Sequence, residues 1–272
     1  MNNAEINDIL RSTDHRPWPL PDRPWIMFQR WNDLLFAHWA LEPERVRPLV
    51  PSELELDLFD GRAWVGIIPF WMSDVHLRGL PPLPGSGTFA EMNLRTYVRL
   101  PLDQKGQSKE HPAPGVSGKD EISKPGVYFF SLDAASLQAV FAARLSFGLP
   151  YFWSKMSVKG GARNEIEYSS IRRQKSRPAA VKVNYMSDGP LTEGKSELEV
   201  FLTERYCLYV VRRGHVHRAQ IHHLPWPLQP ADAEFAENTL GARHGFNLSE
   251  PPQILHFVKR LDVLIFGPER VG

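Results

Sequence analysis

LELDLFDGRAWVGIIPFWM, residues 54–72, carries the clearest strand signal in the chain. Every second residue from Leu54 to Leu58 is leucine and the residues between are acidic, which places the leucines on one face of an extended strand. The dipeptide Asp60-Gly61 is typical of a tight turn, and the apolar run 63–70 follows it. We therefore predict a β-hairpin here and antiparallel β-structure around it.

Other short aromatic and β-branched segments, bounded by Gly, Pro or Asn, predict more strands. These are residues 25–41 with a break near Asn32-Asp33, 89–100, 126–134, 151–160, 164–173, 180–186, a hairpin at 206–226 that turns at 212–214, and 254–268. Apolar residues at helical spacing predict helices over 136–147, with Asp133 as N-cap, and over 230–240. Shorter helical turns are expected after Glu42 and after Ser196.

The order of these segments predicts an α+β fold that is β-rich, with an antiparallel barrel-like sheet and two main helices. A parallel sheet would need a regular alternation of strands and helices, which this chain lacks. We expect a single domain over 23–272, because barrels of ~200–250 residues are common. Residues 1–22 are expected to form a flexible tail, and 101–125, rich in Gly, Pro, Ser and Lys, an exposed insertion loop.

Composition and charge argue against several classes of protein. The chain has 32 basic and 31 acidic residues among 272, which gives no general attraction to nucleic acid or to anionic membranes. Its single cysteine, Cys207, rules out an internal disulfide and a cysteine-based zinc site. The sequence shows no secretory signal and no run of ~20 apolar residues, so we expect a cytoplasmic protein without membrane segments.

The common catalytic and cofactor motifs are missing. There is no glycine-rich nucleotide-binding motif and no Gly-x-Ser-x-Gly nucleophile elbow. Four histidines lie between residues 215 and 223, but His222 and His223 point to opposite faces of a strand, which disfavours a metal site. Cys207 lies in an apolar strand and is expected to be a small buried hydrophobe. We expect no metal and no cofactor.

Charged residues inside aromatic strands are the strongest indication of a site. A buried charge without a partner costs several kcal/mol, so such residues either form ion pairs or bind a ligand. Both interpretations stay open for the residues concerned, which are Glu91, Arg95, Arg144, Glu204 and Arg205.

Nine runs of residues, taken in order along the chain, resemble one known family. They are RPWxM (23–27), WxDLLFAHW (31–39), RPLVP (47–51), FDGxAWVG (59–66), NLRTYV (93–98), GVYFFSLDA (126–134), LPY (149–151), FLTERY (201–206) and HHxPWPL (222–228). Together they resemble the YqjF-like family of uncharacterised bacterial proteins, over residues 23–271.

That family is similar in turn to the acetoacetate decarboxylase-like superfamily. VRPLVPSELELD at 46–57 resembles an early turn-and-strand segment of the decarboxylases, and FAE at 89–91 resembles their Tyr-x-Glu. Arg144 with Pro150 resembles their Gly-Arg-Glu…Tyr-Pro-Lys-Lys stretch. The resemblance implies a barrel-like fold with an enclosed cavity, in a homo-oligomer.

The chain departs from the decarboxylases at their nucleophile. The resemblance implies that the lysine after the conserved proline forms a Schiff base with substrate. Tyr151 and Phe152 occupy those positions here, and neither side chain can form an imine. Lys155 follows four residues after Tyr151 and would share its face on a regular strand, so we keep it as a candidate cavity residue.

These residues suggest a site for a small acidic or carbonyl compound. Glu91 and Tyr151 are the candidate acid–base residues, because a carboxyl and a phenol can transfer protons. The candidate ligand-binding residues are Arg95, Arg144, Tyr97, Trp64 and Lys155.

Three functions remain open. The first is noncovalent binding of such a compound in the barrel. The second is a non-Schiff-base enzyme, a decarboxylase, dehydratase or isomerase of a keto or enol substrate. The third is an oligomeric structural or partner-binding protein with a filled interior. An open cavity lined by Glu91, Arg95, Arg144 and Tyr151 would separate the first two from the third.

Overall fold

The structure, a computed structural model, describes residues 3–81, 87–101, 124–161 and 165–271. The strands are β1 (Trp25–Leu41), β2 (Glu55–Leu56), β3 (Ala63–Leu77), β4 (Phe89–Arg99), β5 (Gly126–Ala134), β6 (Tyr151–Gly160), β7 (Ile166–Arg172), β8 (Ala180–Ser187), β9 (Cys207–Arg212), β10 (His215–His223), β11 (Gln229–Asn238), β12 (Ile254–Phe266) and β13 (Glu269–Arg270). The helices are α1 (Asn3–Arg11), α2 (Pro43–Val46), α3 (Leu137–Ser146) and α4 (Glu197–Thr203). The predicted insertion at 101–125 lies almost wholly outside the described residues.

Five neighbouring strands, in the order β12-β1-β3-β4-β5, form a wall that belongs to two closed barrels. Strands β9 and β10 join β5 to β12 on one side and close a barrel of seven strands. Strands β6, β7, β8 and β11 join the same two strands on the other side and close a barrel of nine. The pairings β5–β6 and β5–β9 are parallel and the others are antiparallel. The predicted β-rich, barrel-like α+β fold is confirmed.

Side chains alternate between the two faces of a strand, so each strand of the shared wall contributes to both barrels. On β4, Met92 and Leu94 pack in one apolar core with Tyr168 and Val183 of the nine-stranded barrel. The residues between them point to the opposite side, into the seven-stranded barrel, whose core includes Phe36.

The helix predicted over 230–240 is wrong, because residues 229–238 form strand β11, paired with β8 and β12. Half-buried and exposed residues alternate along 229–236, which is the period of a strand with one face in solvent. An early proline followed by acids is typical of a helix start, but the pairing with β8 overrides this local signal.

The predicted hairpin at 54–72 is confirmed at its turn and wrong in its pairing. Asp60 and Gly61 have φ angles of 49° and 71°, and Phe59 bridges to Arg62 across them. Strand β2, however, pairs with β4, and β3 lies between β1 and β4. Alternation indicates a strand and its faces but contains no information about the neighbouring strand.

The N-terminal segment, expected to be a flexible tail, contains helix α1 and packs against β10. Ile9 and Trp18 are buried, and Trp18 Nε1 donates to the Gln220 side chain at 2.9 Å. Arg16 donates to the Ile221 carbonyl at 2.7 Å. A few well-placed side chains thus attach a segment whose overall composition is polar.

Helices α3 and α4 lie where helical signals were found. The N-cap of α3 is Ser136, which accepts from the Ala139 N–H, and not Asp133 as predicted. Helix α4 begins with a reciprocal capping box between Ser196 and Glu199. In the part of the chain that the structure describes, no helix is long and apolar enough to cross a membrane.

Candidate functional site

Polar side chains line the face of β4 that points into the seven-stranded barrel. Glu91, Asn93, Arg95 and Tyr97 are spaced two residues apart, so strand geometry places all four on one face. Neighbouring strands add three more residues, and we call the full set of seven the polar face: Glu91, Asn93, Arg95, Tyr97, His38 from β1, Trp64 from β3 and Tyr151 from β6.

Glu91 and Tyr151 form a buried hydrogen-bonded pair. The Tyr151 hydroxyl donates to Glu91 Oε2 at 2.8 Å. Burial raises the pKa of the Glu91 carboxyl to about 8, partly opposed by the Tyr151 hydrogen bond and reinforced by the negative charge of Asp133. Burial also raises the pKa of Tyr151 well above its usual value. Near neutral pH the pair is therefore mostly a carboxylic acid beside a phenol.

Arg95, Tyr97 and His38 form a second group on the polar face. The Tyr97 hydroxyl lies 2.7 Å from His38 Nε2 and donates to the Leu202 carbonyl at 3.0 Å. Arg95 Nη2 donates to the same carbonyl at 3.1 Å, and its guanidinium lies over the rings of Phe36 and Tyr97. Because Tyr97 donates to Leu202, we place the His38 proton on Nε2, which leaves Nδ1 as an acceptor. Burial and the Arg95 charge hold the pKa of His38 well below its usual value, so the ring is neutral.

Gly66 makes room for the His38 ring. It pairs with His38 on β1 and with Arg95 on β4. A β-carbon at Gly66 would lie 2.9 Å from His38 Cδ2, which is too close for two carbon atoms. The absence of a side chain at Gly66 thus lets the imidazole lie between β1 and β4 and reach Tyr97.

Four buried polar atoms of the polar face have no hydrogen-bond partner among the described residues: Arg95 Nε, Trp64 Nε1, Asn93 Oδ1 and His38 Nδ1. The first two are donors and the last two are acceptors. Each such group costs about 1–3 kcal/mol when it stays unpaired, so several on one face are typical of a binding surface and not of a structural core.

Helix α4 covers one end of this group. Its Leu202 side chain is buried in the core of the seven-stranded barrel, and its carbonyl accepts from Arg95 and Tyr97. Glu199 Oε1 of the same helix lies 2.8 Å from His256 Nε2 of β12. Side-chain hydrogen bonds therefore attach α4 to two strands of the barrel.

The structure does not bring Arg144 and Lys155 to the polar face. Arg144 is exposed on α3, and its Nε donates to the Tyr151 carbonyl at 2.8 Å. Lys155 lies on the same side of β6 as Tyr151, but that side is exposed at Lys155, so the expectation that Lys155 lines the cavity is wrong. Both faces of β6 are covered where it pairs with β5, since Tyr151 and Phe152 are both buried, and beyond them one face is exposed at Trp153 and Lys155. The other predicted site residues do lie on one face: Glu91, Tyr151, Arg95, Tyr97 and Trp64.

Ion pairing accounts for two of the buried charges that the sequence singled out. Glu204 pairs with Lys195, and Arg205 pairs with Asp57. Glu91 and Arg95 take part in none of the ion pairs between described residues. Glu91 is bonded instead to Tyr151, and the half-buried Arg95 to the Leu202 carbonyl, so neither has an opposite charge as its partner.

Sequence reasoning missed His38 and Asn93. His38 lies in the apolar run 34–41, where a lone histidine is usually a core residue and gives no signal. Asn93 could have been found, because it lies between Glu91 and Arg95 in the same two-residue spacing.

A buried Asp133–Arg172 pair behind Glu91 was also missed. Arg172 Nε donates to Asp133 Oδ1 at 2.8 Å, and Ser154 donates to the same oxygen at 2.6 Å. The sequence places Asp133 just before a helix, which favours a cap, but contains no signal for its contact with Arg172, 39 positions away.

The described residues contain no group of three or more His, Cys, Asp and Glu side chains that could hold a metal ion. His222 and His223 are both buried, and burial lowers their pKa values to about 4 and about 3. Burial raises the pKa of the Cys207 thiol to about 11, so the thiolate that a nucleophile needs is scarce at neutral pH.

Two open depressions lie elsewhere on the molecule. One of about 580 Å³ is lined by residues 47–52. The other, of about 540 Å³, is lined by strands of the nine-stranded barrel and includes Trp71, Met156 and Lys259. Neither contains Glu91, Arg95, Arg144 or Tyr151, so neither is the open cavity that the sequence led us to look for.

Comparison with known sequences identifies relatives over nearly the whole chain. The model of the DUF2071 family, described as an uncharacterized conserved protein, matches residues 28–109 and 116–262. The uncharacterized protein YqjF of Bacillus subtilis (strain 168) is 44% identical over 253 residues, covering 92% of this chain and 94% of the relative. The resemblance to the YqjF-like family is confirmed.

Comparison with solved structures gives the fold. An acetoacetate decarboxylase from Legionella pneumophila has a TM-score of 0.57 at 14% identity, covering 98% of this chain and 95% of that one. The enduracididine biosynthesis enzyme MppR, complexed with pyruvate, has a TM-score of 0.55 at 12% identity, covering 94% and 93%. An acetoacetate decarboxylase-like enzyme from Sphingomonas wittichii RW1 has a TM-score of 0.57 at 10% identity, covering 94% and 99%. The fold is acetoacetate decarboxylase-like. At 10–14% sequence identity, this similarity concerns the fold alone.

Proposed function

Because the chain belongs to the DUF2071 family of uncharacterized conserved proteins, we propose its function from its own residues: it binds a small acidic or carbonyl compound on the polar face, without a covalent bond to lysine. The observation that carries this proposal is the set of four unpaired buried polar atoms on that face. A ligand that supplies their missing partners would remove the free-energy cost of leaving them unpaired.

The charge of the polar face favours an anion. Near neutral pH, Glu91 is mostly protonated and His38 is neutral. Arg95 then supplies the one formal charge of the seven residues, and it is positive. Because the surroundings are apolar, the electrostatic attraction between an anion and Arg95 is stronger there than at the protein surface.

The pattern of hydrogen-bond donors and acceptors restricts the chemical class of the ligand further. Arg95 Nε and Trp64 Nε1 donate, which suits the oxygens of a carboxylate or carbonyl group. His38 Nδ1 and Asn93 Oδ1 accept, which suits a hydroxyl group. A hydroxy, keto or enol carboxylic acid supplies both kinds of partner.

Noncovalent binding follows from the residues at the decarboxylases' lysine positions. Tyr151 and Phe152 stand there, Lys155 is exposed, and no lysine is among the buried polar residues that the structure describes. The complex of MppR with pyruvate lends support to the ligand class, because pyruvate is a small keto acid held in the same fold.

Calorimetric titration tests the proposal with pyruvate, acetoacetate and 3-hydroxybutyrate as probes. Arg95→Gln should weaken binding about tenfold or more, because it removes the positive charge and the Nε donor. The matched control is Arg99→Gln, four residues further along β4, where the arginine is 44% exposed and pairs with Glu55. This control should bind like the wild type.

Two outcomes would overturn the proposal. If none of the three probes binds, the polar face is part of a filled interior and the structural alternative is favoured. If a probe binds equally well to wild type and to Arg95→Gln, the ligand lies elsewhere on the molecule.

A second candidate function, proton transfer on such a compound, is favoured by the Glu91–Tyr151 pair. A buried carboxyl whose pKa is about 8, bonded to a phenol at 2.8 Å, is suited to exchange protons near neutral pH. The ionised Glu91 would take a proton from the carbon next to the ligand carbonyl, and Arg95 would stabilise the enolate oxygen. Decarboxylation, dehydration and isomerisation of keto acids can all proceed through such an enolate.

Exchange of the pyruvate methyl protons in D₂O, followed by NMR, tests this candidate. The rate should rise as the pH passes through 8, where Glu91 ionises, and Glu91→Gln should abolish the catalysed exchange. Glu193→Gln, at an exposed carboxyl, is the control and should exchange like the wild type. Wild-type exchange no faster than in buffer would reject proton transfer but leave binding intact.

A further inference from the structure

Helix α3 presents an apolar side to solvent. Leu137, Phe141 and Leu145 are 41%, 64% and 82% exposed, and their i, i+4, i+8 spacing places them in one stripe. Val140, on the other side, is the one buried residue of the helix. A helix that is apolar on both sides is normally covered on both sides. Among the residues that the structure describes, only one side of α3 is covered.

The exposed side of α3 carries almost no charge. Gln138 and Ala142 lie beside the stripe, and Arg144 is the single charged residue of the helix. The Arg144 guanidinium is bonded to the Tyr151 carbonyl of its own chain. A surface that covers this stripe must therefore be apolar and free of buried charge, and the stripe itself meets that requirement.

We propose that two copies of this chain pair through α3, with the helices antiparallel about a two-fold axis at Phe141. Such an isologous contact places Phe141 against Phe141 of the second copy, and Leu137 near Leu145 of the second copy. The two Arg144 side chains are then about 9 Å apart along the helix axis, since six residues at 1.5 Å separate their positions. Self-pairing therefore brings no like charges into contact.

Apolar surface next to α3 extends the contact. Trp153 is 38% exposed on β6, the strand against which α3 packs. A ten-residue helix is about 15 Å long, so even with Trp153 the interface is small. We expect a reversible dimer whose population depends on protein concentration.

Sedimentation equilibrium on the full chain tests the proposal by a charge swap at the axis. Phe141→Glu and Phe141→Lys should each weaken association about tenfold or more, because like charges meet at the two-fold axis. An equimolar mixture of the two variants should dimerise again, because Glu then faces Lys. Both substitutions are at an exposed position, so the fold should persist, which circular dichroism checks.

Leu191→Glu is the matched control, since Leu191 is 57% exposed and lies outside α3. This variant should associate like the wild type. A wild type that is monomeric at its highest soluble concentration overturns the proposal, and so does a dimer that is insensitive to both Phe141 variants. A mixture that stays monomeric rejects the two-fold arrangement. None of these results depends on whether the polar face binds a ligand.

Discussion

At the scale of single residues, Glu91 is a carboxyl group whose acidity is strongly altered by folding. Its carboxyl is buried in a barrel core, accepts a hydrogen bond from Tyr151 and has Asp133 behind it. Arg172 compensates the Asp133 charge through a buried bidentate contact, whereas no cation pairs with Glu91 in the described structure. The protonated form is therefore the stable one at neutral pH.

The raised pKa of Glu91 predicts a pH-dependent stability of definite sign. Its pKa is about 8 in the fold against an ordinary value of 4.5, so between these values the folded state holds a proton that the unfolded state releases. The stability that the neutral carboxyl contributes is complete below the lower value and is lost as the pH rises through 8. Glu91→Gln keeps an acceptor for the Tyr151 hydroxyl, and it should remove this loss of stability at high pH.

Urea unfolding at about pH 5 and about pH 8.5 measures the effect. The Gln variant should match the wild type at the lower pH and exceed it by a few kcal/mol at the higher, since each pKa unit corresponds to about 1.4 kcal/mol. Glu193→Gln, at an exposed site, should follow the wild type at both. Equal midpoints for Glu91→Gln and wild type at about pH 8.5 would mean that Glu91 ionises freely in the fold.

The contact between Glu91 and Tyr151 could be anticipated from the sequence, because a family pattern already places both residues in one site. Lys155 is exposed although it shares a face with Tyr151, because that face of β6 is covered only at its start, and periodicity does not indicate how far along a strand the core extends. The role of His38 could not be predicted from the sequence for a different reason. Its role depends on Gly66, which precedes no turn and lies 28 positions away, but pairs with it across β1 and β3.

At the scale of elements, helix α4 controls one end of the polar face. Arg95 and Tyr97 both donate to its Leu202 carbonyl, so a ligand oxygen that takes over these donors must displace the end of α4. The helix has only seven residues, which is too short to be stable alone in water. Its order must come from the capping box and from contacts with the barrel.

Loss of the capping box predicts faster opening of α4. Ser196→Ala removes the side chain that accepts from Glu199 N–H, which costs about 1 kcal/mol and corresponds to roughly fivefold faster amide exchange in the helix. Ser136→Ala is the matched control, because it removes the equivalent cap of α3 and should leave α4 unchanged. Hydrogen exchange followed by mass spectrometry resolves the two helices. Unchanged exchange in α4 would show that the barrel contacts alone hold it.

Elements were predictable where the local pattern decides them and unpredictable where a neighbour does. Helix α3 and the strands of the β9–β10 hairpin follow their own periodicity and turn residues, including Arg213 and Gly214 at positive φ. The sequence of β11 begins like a helix, but the segment forms a strand because it pairs with β8. Strand β2 pairs with β4 and not with its neighbour in sequence, because register and partner are properties of the assembled sheet.

At the scale of the whole molecule, one wall of strands serves two barrels. Strands β12, β1, β3, β4 and β5 contribute one face to each core, which explains why their sequences are apolar in long runs and not strictly alternating. A charged residue in the middle of β4 therefore has little solvent-facing surface to occupy, unlike Arg99 at the end of the strand. Glu91 and Arg95 are therefore functional candidates because of where β4 lies, and composition alone could not show this.

The shared wall predicts that the chain unfolds as one cooperative unit, although its length would allow two domains. Neither barrel can lose the five common strands without exposing the core of the other, so a partly unfolded state gains little entropy for the apolar surface it exposes. Calorimetry should give one transition whose measured and van't Hoff enthalpies agree. Circular dichroism and tryptophan fluorescence should report the same midpoint.

A matched pair of cavity variants makes this prediction specific. Val183 of β8 is buried in the nine-stranded barrel and Val210 of β9 in the seven-stranded barrel, and neither strand belongs to the shared wall. Valine to alanine at either position should cost about 1–3 kcal/mol and shift the same single transition, as seen by every probe. If the barrels were independent, each variant would lower one transition and leave a second in place. That result would assign the shared wall to one barrel only and make the other a separately folding layer.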